Sequence, residues 1–327
     1  MATMNAAVVT SFAEPPHYQR FEVPHPRTAD EALVDVLAVG LHPRVRSGAA
    51  GTRYTSSGAL PMIPGIDAVG QRGDGKLVYF VATDDVIGTM ADQALADPRR
   101  SVELPAGADV AKVAATMNPA MSSWVALHRR VRLEPGQSVL VLGATGNAGT
   151  MAVQVARRLG AGRVVGAGRD LERLRALGPA GADDVVRLTD DGDATDAALA
   201  AAAAESDIVL DYLWGGPAER AMAALLTARS DRSGPLDWIQ IGAVAGPTIE
   251  MRSQFLRSAN LRLQGSGQGA VSPQTYVAEL PALVIEISAG TIAVQANTRP
   301  LADVEQIWTQ PDPPGKRTVL VPDAGKG

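Results

Sequence analysis

The feature that most constrains the fold is a glycine-rich turn near the middle of the chain. Residues 139–149 read Val-Leu-Val-Leu-Gly-Ala-Thr-Gly-Asn-Ala-Gly, and residues 151–158 continue as Met-Ala-Val-Gln-Val-Ala-Arg-Arg. A short apolar strand, a glycine turn and a helix in this order direct backbone N–H groups and the positive helix end towards a pyrophosphate. The segment therefore predicts a dinucleotide-binding site.

The spacing of small residues in this loop assigns each position a geometric role. Against the dinucleotide fingerprint G-x-G-x-x-G, Ala144 stands at the first glycine position, Gly146 at the second and Gly149 at the third. A glycine at the second position allows phosphates to approach the backbone, and one at the third lets the helix pack on the strand. The predicted cofactor-contacting residues of the loop are Gly143, Ala144, Thr145, Gly146, Asn147, Ala148 and Gly149.

Strand-like and helix-like segments alternate from this loop onwards. The predicted strands are residues 138–142, 163–167, 184–187, 207–210 and 236–242, and the predicted helices are residues 147–159, 171–177, 194–204 and 217–228. Repeated units of this length predict an α/β fold with a doubly wound parallel sheet.

The two ends of the chain have a different character. Short apolar runs between Pro, Gly and charged turns predict a β-rich N-terminal segment. The last part, with predicted helices at 272–288 and 301–308 and strands at 291–297 and 317–321, is too short to form a domain alone. We therefore expect a β-rich substrate domain built from residues 1–121 and 268–327, and a nucleotide-binding domain of residues 122–267.

The end of the second predicted strand favours NADP(H) over NAD(H). An acidic residue there accepts hydrogen bonds from a free ribose 2′-hydroxyl, but this chain has Gly168 at that place. The guanidinium of the following Arg169 can pair with a 2′-phosphate, and Arg173 lies one helical turn further on. The alternative is that Arg169 is a solvated surface charge and that Asp170 simply caps the next helix.

Composition excludes several classes of site and partner. The chain has no cysteine, which removes disulfides, thiolate nucleophiles, iron–sulfur clusters and thiolate zinc sites. With a net charge of −5 and no cluster of basic residues, nucleic acid is not an expected partner. Neither a secretory signal nor a run approaching the ~18 apolar residues of a membrane span is evident. We expect a cytoplasmic protein acting on a small molecule, away from membranes.

Several segments together resemble the medium-chain dehydrogenase/reductase superfamily, in its zinc-independent quinone oxidoreductase branch. They are residues 38–43 (Ala-Val-Gly-Leu-His-Pro), 61–70 (Pro-Met-Ile-Pro-Gly-Ile-Asp-Ala-Val-Gly), 143–149, 300–304 and 315–322. The resemblance covers nearly the whole chain and implies a Rossmann domain plus a GroES-like domain built from both chain ends. It also implies an NADPH-dependent oxidoreductase that forms a homodimer.

The zinc ligands of the superfamily's metal-bearing members are missing. Those members carry a Cys after the Val-Gly segment, a Gly-His-Glu element and structural cysteines, where this chain has Leu41-His42, Gly65-Ile66-Asp67 and no cysteine. We therefore expect no catalytic metal.

The resemblance also implies roles for individual residues. Zinc-free members typically place Asn where this chain has His42, and Leu-Thr where it has Met121-Ser122. By this resemblance Ser122 would lie near the nicotinamide ribose, and Ala243 would offer its backbone to the carboxamide. Arg317 matches a position that faces the pyrophosphate in several relatives, although it can equally be a surface cation.

Without zinc, the oxyanion that develops on an enone or quinone must be met by hydrogen-bond donors. The candidate catalytic residues are His42, Tyr54 and Ser122. His42 has two alternatives, a packing role and a cofactor-positioning role, and Tyr54 can be an exposed loop aromatic. The leading hypothesis is an NADPH-dependent quinone or α,β-unsaturated carbonyl reductase. The alternatives are a biosynthetic C=N or enoyl reductase of a specialised metabolite, and a non-enzymatic NADPH-binding protein.

The homodimer is expected to form through the nucleotide domain. The predicted strand 236–242 is followed by the short apolar piece 247–250, which is suited to edge pairing across a twofold axis.

Overall fold

The computed structural model describes residues 2–52, 58–267 and 269–323, and the chain divides into two compact units. The first unit contains Met1–Asn118 and Leu280–Gly327, and the second contains Pro119–Glu279. Both boundaries fall inside helices, at Val110–Val125 and Pro273–Ala289. The domain limits expected from the sequence, after residues 121 and 267, stay predictions.

The N-terminal part of the first unit is mainly β-structure, as expected. Its elements are β1 (Thr3–Val8), β2 (His17–Glu22), β3 (Ala32–Gly40), α1 (Pro43–Ala49), β4 (Asp67–Gln71), β5 (Leu77–Val81), β6 (Gln93–Ala96), β7 (Ser101–Glu103) and α2 (Val110–Val125). The short apolar runs that predict a β-rich segment gave no indication of α1 or of the first three turns of α2.

The second unit is built around a six-stranded parallel sheet. Its elements are β8 (Ser138–Leu142), α3 (Asn147–Arg158), β9 (Arg163–Gly168), α4 (Leu171–Arg175), α5 (Leu177–Ala180), β10 (Asp184–Arg187), α6 (Gly192–Ala203), β11 (Ile208–Asp211), α7 (Gly215–Ala228), β12 (Leu236–Gln240), α8 (Ser253–Ser258) and β13 (Leu261–Gly265). The strand order β10-β9-β8-β11-β12-β13 reverses direction between β8 and β11. In doubly wound folds, ligands bind at the carboxyl ends of the strands at this switch point.

The buried strands of this sheet follow from their composition. In β8, Ser-Val-Leu-Val-Leu, every residue after the serine is buried, as expected for a central parallel strand covered by helices on both faces. Trp238 of β12 is fully buried in the same core. The predicted doubly wound fold is confirmed.

The chain then returns to the first unit through α9 (Pro273–Ala289), β14 (Gln295–Pro300), α10 (Val304–Ile307) and β15 (Lys316–Val321). In that unit β14 and β15 join a seven-stranded sheet of order β14-β15-β3-β4-β5-β7, in which β6 pairs with β3. The pairing of β15 with β3 is antiparallel and aligns Leu320 with Val39. Both ends of the chain therefore build one β-rich unit, as predicted.

The strand order places a different segment at the edge of the sheet from the one expected for dimer pairing. Strand β12 is an inner strand, because β11 and β13 hydrogen-bond to its two sides. Residues 247–250 form no strand, and the edge strand on this side of the sheet is β13. Within the ranges that the structure describes, no helix is long and apolar enough to span a membrane.

Candidate functional site

The glycine loop lies at the carboxyl end of β8, on the sheet's switch point. Gly143 has a φ of 86°, in the left-handed region that favours glycine, and Gly146 is the N-cap of α3. The N-cap Gly146 has no side chain to cap α3, so no capping side chain competes with a ligand at this helix end. Backbone N–H groups of Gly143 and Ala144 both donate to Ala167 O at 2.9 Å, which fixes the loop to β9.

Gly149 is required by the packing of the helix on this loop. A Cβ atom at position 149 would lie 2.2 Å from Gly143 O and 2.7 Å from Ala144 Cα. Both contacts are with backbone, which cannot move aside as a flexible side chain can. The third position of the fingerprint therefore keeps the loop tight against α3, as the sequence predicts.

The end of β9 has no room for an acidic side chain in this arrangement. A Cβ at Gly168 would lie 2.6 Å from Thr145 Cγ2 and 2.8 Å from its hydroxyl oxygen. Arg169 follows, exposed and without a hydrogen bond or ion pair to any residue that the structure describes. Arg173 Nη1 donates to Thr145 O at 3.3 Å, and Asp170 caps α4 by accepting from Arg173 N at 3.1 Å. The Arg173 guanidinium thus lies against the loop, and Arg169 follows Gly168 at the end of β9.

A tyrosine that the sequence analysis missed borders the loop on its other side. Tyr212, directly after β11, has its phenolic oxygen 3.0 Å from Ser122 Oγ. Ser122 Oγ also donates to Pro119 O at 2.9 Å, and either hydroxyl can be the donor in its pair with Tyr212. Burial raises the pKa of Tyr212 to about 12. Tyr212 also contacts the glycine loop, since a Cβ at Gly143 would lie 3.3 Å from Tyr212 Cβ.

Asp211 fixes the turn that presents Tyr212. Its Oδ1 accepts from the N–H groups of Leu213 at 2.8 Å and Trp214 at 2.9 Å, and its Oδ2 accepts from Trp238 Nε1 at 3.0 Å. Burial raises the pKa of Asp211, and these three donors oppose that shift. Trp214 has a φ of 54°, which is unusual for a non-glycine residue. The sequence pointed to Asp211 and Tyr212 only through their position, directly after the predicted strand at residues 207–210.

Ala243 lies beyond the end of β12, on an open cleft of about 310 Å³. The cleft is lined by Trp214, Gln240, Ala243, Pro247, Leu263, Gln264 and Gly265. The preceding Gly242 packs on Tyr212, where a Cβ would lie 2.7 Å from the tyrosine carbonyl oxygen. The structure therefore groups the loop, Ser122, Tyr212 and the backbone before Ala243 within the second unit.

His42 belongs to a buried hydrogen-bonded group in the first unit. His42 Nε2 lies 3.1 Å from Asp67 Oδ1, and Tyr79 OH donates to Asp67 Oδ2 at 2.7 Å. Thr89 Oγ1 donates to Asp67 O at 3.0 Å. Burial lowers the pKa of His42 although Asp67 opposes the shift, and burial raises the pKa of Tyr79 well above its usual value.

Arg317 of β15 is buried beside His42. It is 4% exposed, its Nη1 donates to Leu41 O at 3.4 Å, and its Nε lies 3.8 Å from Asp312 Oδ2. Burial lowers the pKa of Arg317. Arg317 is therefore not a surface cation, and it joins His42 in the first unit.

Two further expectations concern Tyr54 and metal binding. Tyr54 lies outside the described residues. Within those residues, no group of three or more His, Cys, Asp or Glu side chains is arranged to hold a metal ion.

Sequence comparison finds relatives among the quinone reductases. The chain is 30% identical to the probable NADPH-dependent quinone reductase tdiC of Emericella nidulans, over 98% of this chain and 100% of that protein. It is 31% identical to the quinone oxidoreductase of Homo sapiens over 50% of this chain and 47% of that protein. No family model matches the chain.

Solved structures share the fold along almost the whole chain. The quinone oxidoreductase of Thermus thermophilus, which was also solved as a complex with NADPH, gives a TM-score of 0.77 at 24% identity, over 97% of this chain and 100% of that one. An alcohol dehydrogenase superfamily protein of Novosphingobium aromaticivorans gives 0.79 at 21% identity, over 98% and 99%. At such identities the likeness establishes the fold alone.

Proposed function

The chain belongs to the quinone oxidoreductase family of the medium-chain dehydrogenase/reductase superfamily, and from this premise we propose that it reduces quinones or α,β-unsaturated carbonyl compounds with NADPH, by hydride transfer without zinc. The observation that carries the proposal is the glycine cradle, in which Gly149 packs against Gly143 O beneath the uncapped start of α3. This is the geometry that a dinucleotide pyrophosphate requires.

The residues at the cradle fit NADP(H). The positive end of α3 would hold the pyrophosphate, and Arg169 with Arg173 would meet the 2′-phosphate beside Gly168. Ala243 is proposed as a backbone contact to the carboxamide, and the pyrophosphate contact expected of Arg317 stays a prediction. When bound, NADPH supplies the hydride.

Ser122 and Tyr212 are proposed to shape the place where the nicotinamide ribose lies. Their hydroxyl groups form one hydrogen-bonded pair, and Tyr212 stays protonated because burial raises its pKa to about 12. A hydrogen-bonded pair held on α2 and β11 is better fixed than two separate hydroxyls, which favours a single orientation of the ligand. Tyr54 remains the proposed donor to the carbonyl oxygen of the acceptor.

Two observations support zinc independence: the sequence lacks the usual zinc ligands, and His42 is hydrogen-bonded to Asp67. The chain has no cysteine, and His42 Nε2 is already engaged with Asp67. Activity that survives exhaustive treatment with a chelator would agree with the proposal, and activity restored only by added Zn²⁺ would contradict it.

A homodimer joined through the second unit is proposed, with β13 in place of residues 247–250 as the contact. Strand β13 is one of the two edge strands of the parallel sheet, and Leu263 on it is 36% exposed. An exposed edge strand with apolar side chains suits antiparallel pairing across a twofold axis.

The function is tested by following NADPH oxidation by the purified protein against a panel of quinones, enones, imines and enoyl thioesters. Turnover of quinones or enones supports the proposal. Turnover confined to imines or enoyl thioesters would replace it with a biosynthetic reductase. Micromolar or tighter NADPH binding without turnover of any acceptor would indicate a cofactor-binding protein that is not an enzyme.

A further inference from the structure

The group formed by His42, Asp67 and Tyr79 has a single consistent direction of hydrogen bonding. The side chains of His42 and Asp67 are each 3% exposed. Tyr79 OH is a donor because burial and Asp67 keep it protonated, so Asp67 accepts on Oδ2. The other carboxylate oxygen, Oδ1, lies 3.1 Å from His42 Nε2. Because a carboxylate oxygen accepts, Nε2 must carry the proton and donate it to Asp67.

The second ring nitrogen of His42 decides between the two neutral tautomers. Nδ1 is buried and has no hydrogen-bond partner among the residues that the structure describes. If Nδ1 carried the proton, a buried donor would be left unpaired and the Nε2 lone pair would face a carboxylate oxygen. With the proton on Nε2, the buried N–H is paired and Nδ1 presents a lone pair.

The charges around His42 favour the neutral ring over the imidazolium. Asp67 on β4 supports a positive ring, whereas Arg317 on β15 and Arg44 on α1 both oppose it. Tyr79 on β5 reaches the ring only through Asp67. Burial acts in the same direction as the two arginines and is the largest effect.

We propose that Asp67 and Tyr79 are positioning residues that hold His42 as the neutral Nε2–H tautomer, so that Nδ1 accepts a hydrogen bond from a hydroxyl group of the bound hydroquinone product. The inference rests on the proposed function and deepens it, because it assigns His42 an accepting role in that reaction. His42 is then not the proton source. The reduction takes its hydride from NADPH and its proton from solvent water, and the ring returns unchanged.

Nitrogen NMR of the ligand-free protein tests the tautomer without reference to activity. The ring signals of His42 are identified by their loss in His42→Asn. At neutral pH we expect one protonated nitrogen, Nε2, and one unprotonated nitrogen, Nδ1. In Asp67→Asn the amide oxygen accepts from Tyr79 and the amide N–H group faces Nε2, so the ring proton should move to Nδ1. A wild-type ring protonated on Nδ1, or on both nitrogens, would overturn the proposal.

The same signals test the acceptor role. Adding a hydroquinone to the wild-type protein should shift the Nδ1 resonance in the direction of an accepted hydrogen bond. If this ligand is shown to bind but does not move the resonance, Nδ1 does not contact the substrate. This arm needs no turnover, so its failure is distinct from failure of the proposed function.

Activity supplies the last arm. Asp67→Asn should lower kcat by about 10²–10³-fold with little change in the NADPH Kd, and Tyr79→Phe should give a smaller loss, of about tenfold. Tyr18→Phe, in the same unit, is the matched control. His42→Asn places an amide where Nδ1 stood and should keep more activity than His42→Gln, whose amide reaches the Nε2 position. A kcat/KM that falls with rising pH in the wild type but not in His42→Asn would show proton donation and contradict the proposal.

Discussion

The phenolic oxygen of Tyr212 lies 3.0 Å from the hydroxyl oxygen of Ser122 and joins α2 to the carboxyl end of β11. The contact lies at the switch point of the sheet, one strand away from the glycine loop on β8. Ser122 was expected from the family resemblance, whereas its partner was not. Because Tyr212 also packs against Gly143, the pair fixes the position of Ser122 relative to the glycine loop.

Removing the Tyr212 hydroxyl should weaken this connection without creating a cavity. Tyr212→Phe keeps the buried ring, and Ser122 keeps Pro119 O as an acceptor. We expect a loss of about 1 kcal/mol in the free energy of unfolding, measured by urea denaturation, and a weaker NADPH affinity. Ser122→Ala and the double variant complete a cycle, and a coupling energy of zero would show that the pair does not form in solution.

Gly149→Ala should disrupt the cofactor site directly. The new Cβ would lie 2.2 Å from Gly143 O, so the loop or α3 must shift. We expect the NADPH Kd, measured by calorimetry, to rise by about 100-fold or more, which corresponds to ~2.7 kcal/mol. Gly178→Ala is the matched control, because a Cβ there meets nothing within 4 Å. An unchanged Kd in Gly149→Ala would contradict the assigned role of the loop.

Selectivity for NADPH should depend on Arg169. The wild type should bind NADPH at least about tenfold more tightly than NADH, since one charge-assisted contact supplies ~1.4 kcal/mol. Arg169→Ala should remove most of this preference while leaving the NADH Kd unchanged. Arg173→Ala tests the second guanidinium, whose Nη1 reaches Thr145 O. Equal affinities for both cofactors in the wild type would mean that Arg169 is a solvated charge.

The order of elements in the second unit could be predicted because parallel strands and crossover helices leave periodic patterns over many residues. The strand predicted at residues 184–187 is β10 as observed, and the predicted helix at 147–159 matches α3 to one residue. Strand β13 was missed because two of its five residues are exposed and its Arg262 and Gln264 break the apolar run. Because β13 was missed, the sequence analysis could not consider it as an edge strand for a dimer contact.

In the candidate site, residues that are close in sequence could be predicted, whereas contacts between distant parts of the chain could not. The glycine loop is contiguous, so its geometry follows from residues that are neighbours in the chain. His42, Asp67 and Tyr79 come from three different elements, and only the pairing of β3, β4 and β5 brings them together. Nothing in the spacing of these three residues indicates a shared hydrogen bond. Arg317 was named from the resemblance alone, and its burial could not be foreseen.

Burial of His42 should make the stability of the protein depend on pH. Its pKa in the folded protein lies below the 6.5 of an ordinary histidine, so on acidification the unfolded chain takes up the proton first. The contribution is fully present above about pH 6.5, and the free energy of unfolding falls below it, by at most ~1.4 kcal/mol per pH unit. Urea denaturation between about pH 7 and 5 should show a smaller slope for His42→Asn than for the wild type. His25→Asn, at an exposed position, is the control, and equal slopes in all three proteins would contradict the prediction.

The proposed dimer makes a prediction about one backbone N–H group. Ser266 N donates to Gln240 O, and Asn260 O accepts from Leu236 N, so the even-numbered residues of β13 bond to β12. The N–H of Leu263 therefore points away from β12, towards the open edge of the described sheet. Leu263→Pro removes that donor and leaves the bonds to β12 in place, because proline is tolerated on edge strands.

We expect the wild type to sediment as a dimer of 33.9 kDa subunits at micromolar concentration, and Leu263→Pro to sediment as a monomer. Leu263→Val keeps the N–H group and the apolar surface, so it should remain dimeric. An unchanged melting temperature for cofactor-saturated Leu263→Pro at low concentration would show that the second unit stays folded. A dimeric Leu263→Pro would exclude backbone pairing at Leu263, and a monomeric wild type would exclude the proposed dimer altogether.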